Sequence, residues 1–85
     1  MKIEIRFFAS VREALGTAAE IVTLPPEVLT VGDVRQFLIA RGGVWADALG
    51  EGKTLRMAYN QNMTEPDTKI TEGCDVAFFP PVTGG

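Results

Sequence analysis

The sequence predicts an α+β domain, a mixed sheet packed on one face by one main helix. Three observations carry that expectation. Lys2-Ile3-Glu4-Ile5-Arg6-Phe7 alternates polar and apolar residues with the period of a half-buried strand. A helical pattern follows Thr30, and a second strand-like run, Asp75 to Phe79, closes the ordered part of the chain. Eighty-five residues, 46% of them hydrophobic, support a single core without a deep enclosed pocket, so function is expected on the surface. Residues 1–79 are expected to form the domain and residues 80–85 a flexible tail.

Lys2 to Phe7 is the first predicted strand. Ser10-Val11-Arg12-Glu13 has the spacing of a capping box, and Gly16 is placed to stop a short helix after Leu15. Ala19 to Leu24 carries β-branched Ile21, Val22 and Thr23 and ends at Pro25-Pro26, which cannot extend a ladder. Thr30 caps the main helix, expected from Val31 to Arg41, with Asp33 in its first turn, Arg41 in its last and Gly42-Gly43 as the stop. Val31, Val34, Phe37 and Leu38 form its apolar face. Trp45 to Leu49 makes a further turn, and Trp45 is expected to plug the end of the core rather than bind a ligand. Leu55 to Tyr59 is the third strand, Asn60-Gln61-Asn62 a turn, Met63 to Ile70 an irregular stretch, and Asp75 to Phe79 the last strand.

Composition narrows the chemistry. The chain has no histidine and one cysteine, Cys74, which removes Cys/His zinc sites, Ser-His-Asp triads and disulfide frameworks, and no metal site is expected. A formal net charge of -3 argues against nucleic acid as a partner, since phosphate binders concentrate Lys and Arg. No apolar run reaches the roughly 20 residues that span a bilayer, and no signal peptide is evident, so a cytoplasmic protein without membrane contact is expected. Cys74 follows Gly73 in a turn, lacks an activating or resolving partner, and is expected to be structural.

Strand parity exposes an apolar feature. Phe7 and Phe8 cannot both face one core, nor can Phe78 and Phe79. Glu4 and Arg6 mark the outer face of the first strand and Asp75 that of the last, which buries Phe7, Val76 and Phe78 and turns Phe8, Ala77 and Phe79 outward. Isolated exposed apolar residues are ordinary, but two aromatics on one face beside a terminus point to a protein partner. Met63 extends the patch if the chain brings it near. Pro80-Pro81 cannot rejoin the sheet and favours an extended path of about 3.1 Å per residue, so the stretch from Pro80 through Val82, Thr83, Gly84 and Gly85 is expected to project roughly 18 Å. Gly84 and Gly85 have no side chains, and a terminal carboxylate there enters channels closed to other residue pairs.

Phe7-Phe8-Ala9-Ser10-Val11-Arg12-Glu13, Trp45, Asn60-Gln61 and the ending Val76-Ala77-Phe78-Phe79-Pro80-Pro81-Val82-Thr83-Gly84-Gly85 resemble the small subunits of molybdopterin synthase, the MoaD family. The resemblance covers essentially the whole chain and implies a ubiquitin-like β-grasp fold. It further implies a sulfur carrier, a non-catalytic subunit whose Gly85 is adenylated by an E1-like enzyme using ATP, converted to a thiocarboxylate, and inserted into the large synthase subunit. There two thiocarboxylates convert precursor Z to the molybdopterin dithiolene. The implied assembly is a heterotetramer, the catalytic side chains sit on the large subunit, and this chain binds no cofactor itself. Phe8, Met63 and Phe79 match the family's partner surface, and Pro80, Pro81, Val82, Thr83 and Gly84 its inserted tail. Arg12 and Glu13 match as well but carry no assigned role, and Asn60 and Gln61 are expected to make turn hydrogen bonds. Sulfur delivery to another product, thiazole or thiolated tRNA, and conjugation of Gly85 to lysines use the same acyl-adenylate chemistry and remain alternatives.

Overall fold

The structure is a computed structural model, and it describes residues 1–81. Five strands form one sheet in the order β2-β1-β5-β3-β4. They are β1 (Lys2–Phe7), β2 (Ala19–Thr23), β3 (Arg56–Tyr59), β4 (Asn62–Thr64) and β5 (Asp75–Phe79), joined by helices α1 (Ala9–Leu15), α2 (Val31–Ile39) and α3 (Val44–Leu49). The first and last strands are parallel neighbours, with Phe7 level with Phe78, and the other pairs are antiparallel. This is the mixed sheet and main helix of a β-grasp domain.

The inner face of the sheet supplies Ile3, Ile5 and Phe7 from β1, Val76 and Phe78 from β5, and Met57 from β3, all buried. Val31, Val34 and Leu38 of α2 cover them with no measurable exposure. Fully burying a side chain of this kind contributes about 1.5–3 kcal/mol, so this layer is the main source of stability. Trp45 meets Phe7 edge-on at 5.7 Å and closes one end of the core, as its position in the sequence suggests. Among the described residues no helix is long and apolar enough to cross a membrane.

Two helix boundaries differ from expectation. Thr30 and Asp33 form a complete capping box at α2, the Thr30 hydroxyl accepting from the Asp33 N–H at 3.1 Å and the Asp33 carboxylate accepting from the Thr30 N–H at 3.2 Å. Serine does no such work in α1. That helix begins at Ala9 with Phe8 as its N-cap and no side-chain cap bond, because the Phe8 N–H is still bonded to the Phe78 carbonyl as an extension of β1. Strand pairing thus carries the chain to the helix start, and Ser10 lies one position inside it. Helix α2 ends at Ile39, so Arg41 falls outside its last turn. Instead Arg41 makes a two-pronged ion pair with Glu20 at 2.6 and 2.9 Å and lies over the Trp45 ring at 4.5 Å, tying the helix exit to β2. The short edge strand β4 takes in Asn62, expected in the turn, together with Met63 and Thr64 from the stretch expected to be irregular, and that stretch also includes an isolated bridge between Lys69 and Thr30.

Candidate functional site: an apolar hollow at the root of the tail

On the outer face of the sheet, the strand register brings a row of residues together across all five strands. Arg6 lies opposite Ala19 and Ala77, Ala77 opposite Ala58, and Ala58 opposite Met63. One step toward the end of β5, Phe79 stands opposite Arg56. Phe8 reaches Phe79 from β1, their rings in an edge-to-face contact with centroids 6.4 Å apart. Edge-to-face pairs of this kind contribute about 0.5–1.5 kcal/mol beyond area burial, so the two rings hold each other in place.

These residues enclose a shallow hollow of about 600 Å³. Its floor is the facing pair Ala58 and Ala77, and its walls are Phe8 and Phe79, Met63, and the Arg6–Asp75 ion pair. Phe8 is 47% and Met63 64% exposed, so much of the apolar rim meets water. Ala77 faces outward as parity requires, yet only 6% of it is exposed, because its methyl group lies below its larger neighbours. Phe8, Met63 and Phe79 are therefore brought together as the sequence suggested, and the register of β4 on β3 is what adds Met63.

Local backbone geometry positions the walls. Ala9 adopts a left-handed φ of 52° where β1 turns into α1, a conformation that costs a non-glycine residue about 1–2 kcal/mol. Asn60 and Gln61, with φ of 47° and 69°, form a two-residue hairpin turn that sets Met63 beside Ala58. The Asn60 side-chain oxygen accepts from the Asp75 N–H at 2.9 Å, which fastens that turn to β5. The Asn60 side chain thus bonds the neighbouring strand rather than, as expected, its own turn, and Gln61 lines the hollow.

One end of the hollow is polar. Arg6 Nε donates to Asp75 Oδ2 at 2.7 Å and its Nη2 to Glu4 Oε1 at 3.4 Å. The hydrogen bond from Arg6 to Asp75, reinforced by both carboxylates' charges, raises the guanidinium pKa above its ordinary value. Arg12 and Glu13 are exposed on α1. Cys74 is 3% exposed and packs in the core.

Neither Pro80 nor Pro81 continues β5, as expected, but both are half-buried and line the hollow. The chain therefore remains against the domain through Pro81, and the expected projection does not start at Pro80. Val82, Thr83, Gly84 and Gly85 lie outside the described residues. Arg6, Ala9, Ala58, Gln61 and Ala77 complete the hollow without having been singled out for it. Outward-facing alanines on facing strands were the available signal, since small residues among large ones leave a depression, but the strand partners had to be known to read it.

Known proteins resemble this chain in sequence and in fold. The ThiS family model matches residues 5–85. The molybdopterin synthase sulfur carrier subunit of Escherichia coli (strain K12) is 47% identical over 83 residues, covering 98% of this chain and 99% of that one. Among solved structures, SAMP1 from Haloferax volcanii superposes with a TM-score of 0.76 at 23% identity over the full length of both chains. A protein–protein complex of subunits 1 and 2 of molybdopterin-converting factor from Helicobacter pylori contains a chain that superposes with a TM-score of 0.68 at 20% identity, again over both full lengths.

Proposed function

The chain belongs to the ThiS family, as a relative of the molybdopterin synthase sulfur carrier subunits, and on that premise we propose that Gly85 is its sulfur-carrying group. The observation that carries this proposal is the near-full-length identity to a sulfur carrier subunit, within a family match that runs through Gly85. A terminal carboxyl has a reference pKa of about 3.3–3.7 and is an anion at neutral pH. Its oxygen attacks the α-phosphorus of ATP on an E1-like partner, pyrophosphate leaves, and an acyl-adenylate results. A hydrosulfide-equivalent nucleophile then attacks the carbonyl carbon and forms a C–S bond, the acyl C–O bond breaks with its electron pair leaving on AMP, and a thiocarboxylate remains once the sulfur has lost its proton.

The tail then enters the large subunit of molybdopterin synthase, where the thiocarboxylate gives its sulfur to precursor Z on the way to the dithiolene. Val82, Thr83 and the two glycines thread the channel, and Gly84 and Gly85 let both partners close on the reacting carbon. The hollow beside Pro80 and Pro81 supports this division of labour, because it offers an exposed apolar rim at the root of the tail for a partner to grip. ATP is used by the activating partner, and this chain contributes a reactive terminus and a docking face.

Intact mass spectrometry of the protein from its own host tests the proposal. A mass gain equal to sulfur replacing oxygen, located at Gly85 by fragmentation, is expected. Lysine-linked adducts on other proteins would instead mark a protein modifier. Deleting Gly85 is expected to abolish loading and leave the thermal melt unchanged, and full molybdopterin synthesis by the shortened chain would overturn the proposal.

A further inference from the structure

We infer that the free edge of β2 pairs with the β2 edge of a second copy of this chain, antiparallel and centred on Ile21. The ladder to β1 decides which backbone groups are free for this. Phe7 donates its N–H to the Ala18 carbonyl, and Leu24 donates to the Met1 carbonyl. Bonded and non-bonded residue pairs alternate along an antiparallel ladder, so Glu20 opposite Ile5 and Val22 opposite Ile3 also bond to β1. Ala19, Ile21 and Thr23 therefore aim their N–H and C=O groups away from the sheet. Of these groups only the Ala19 carbonyl has a partner among the described residues, the Thr17 hydroxyl, which donates to it at 3.1 Å. All three residues are exposed, Ile21 by 65%. Edge strands are usually blunted by shortness, proline, lysine, a bulge or an inward-pointing charge. The opposite edge, β4, has three residues, whereas β2 has five, carries no proline or lysine, and pairs with β1 without a bulge. Its one inward charge, Glu20, is already neutralised by the two-pronged pair with Arg41.

Register selects a second copy as the occupant. An antiparallel β2 engages all three outward residues in one register only, with Ile21 opposite Ile21 and Ala19 opposite Thr23 on either side. A shift of two residues one way sets Glu20 against Glu20. The shift the other way sets Ala19 against Pro25, which has no N–H to donate. In the centred register Glu20 meets Val22, and the two exposed Ile21 side chains cover each other on the outer face. The contact is two-fold and closes on itself instead of propagating. No residue lining the hollow belongs to β2, so pairing leaves both hollows open, on the same side of a single sheet of about ten strands. The two β5 strands then run antiparallel, and the two chains leave Pro81 toward opposite ends. A five-residue ribbon buries far less than the roughly 1,200 Å² of a stable complex, so the dissociation constant is expected on the order of 0.1 mM.

Sedimentation equilibrium of the full chain, from about 10 µM to about 1 mM, tests the pairing. Ile21→Lys sets like charges against each other across the two-fold, yet faces Glu4 within its own chain, so its melting temperature should not fall. It is expected to weaken association by at least about 10-fold. Ile21→Glu should be equally monomeric alone, and an equimolar mixture of the two variants should associate again. Met63→Lys, which alters the hollow and not β2, should associate as the wild type does. A wild-type chain that stays monomeric throughout, or undiminished association by Ile21→Lys, would overturn the inference. Association that Met63→Lys abolishes and Ile21→Lys spares would place the contact in the hollow and overturn it as well. A mixture that stays monomeric overturns the centred register. Should Ile21→Glu fail to fold, Ile21→Lys against the wild type decides the pairing by itself.

Discussion

Replacing Met63 with alanine separates partner binding from folding. Met63 is 64% exposed in the free chain, on the three-residue edge strand β4. Fully burying a methionine side chain contributes about 1.5–3 kcal/mol, so covering the exposed two thirds on docking contributes roughly 1–2 kcal/mol. The variant should therefore bind the large subunit roughly 5- to 30-fold more weakly. The third already buried is worth about 1 kcal/mol or less to the monomer, a fall in melting temperature of no more than about 8 °C. Calorimetric titration gives the first quantity and thermal unfolding followed by circular dichroism the second. Leu29→Ala is the control, because Leu29 is comparably exposed at 54% but precedes α2, away from the hollow. Unchanged affinity in Met63→Ala, or an equal loss in Leu29→Ala, would refute the assignment of the hollow as the docking surface.

Acid should weaken the fold through two carboxylates with lowered pKa values. The hydrogen bond from Arg41 lowers Glu20, and the N–H of Leu29 followed by that of Thr30 lowers Asp33, so each contributes stability above its unfolded value that is lost as pH falls through the folded one. Urea titrations should show stability declining from about pH 5 downward, and Asp33→Asn should reduce that decline; a profile identical to the wild type would refute the role of the capping box. Cys74→Ala should cost about 1 kcal/mol through lost packing while Gly85 still gains sulfur, as read by intact mass, and failure to load in a folded variant would make the thiol a participant.

Much of the architecture was legible because local and long-range signals agree. Lys2 to Phe7 alternates without interruption, and the structure buries Ile3, Ile5 and Phe7 and turns Glu4, Arg6 and Phe8 outward. Thr30 and Asp33 signal the start of α2 within four residues, and the capping box forms there. Ser10 and Glu13 carry the same spacing and form none, since capping is decided by where the strand lets go of the backbone and not by side-chain order alone. β4 escaped notice for a related reason. Three residues are too few for a period to declare itself, and Asn62 to Thr64 becomes a strand because the left-handed turn at Asn60 and Gln61 folds it onto β3.

The candidate site was legible as residues but not as a shape. Phe8 and Phe79 follow from parity once β1 and β5 are neighbours, whereas the floor of the hollow depends on the register that places Ala58 opposite Ala77. Topology supports the proposal that a docking face and a reactive terminus act together. β5 lies at the centre of the sheet, paired with β1 on one side and β3 on the other, so Phe79 leaves a strand that cannot fray as an edge strand does. Pro80 and Pro81 then end the ladder beside the hollow. A partner that grips Phe8, Met63 and Phe79 thereby holds the chain within a few residues of Gly85, and the rigidity of the central strand turns a binding surface into a means of placing the terminus. An edge strand carrying the same sequence would keep the apolar residues but lose that placement, because fraying would uncouple the tail from the face that is gripped.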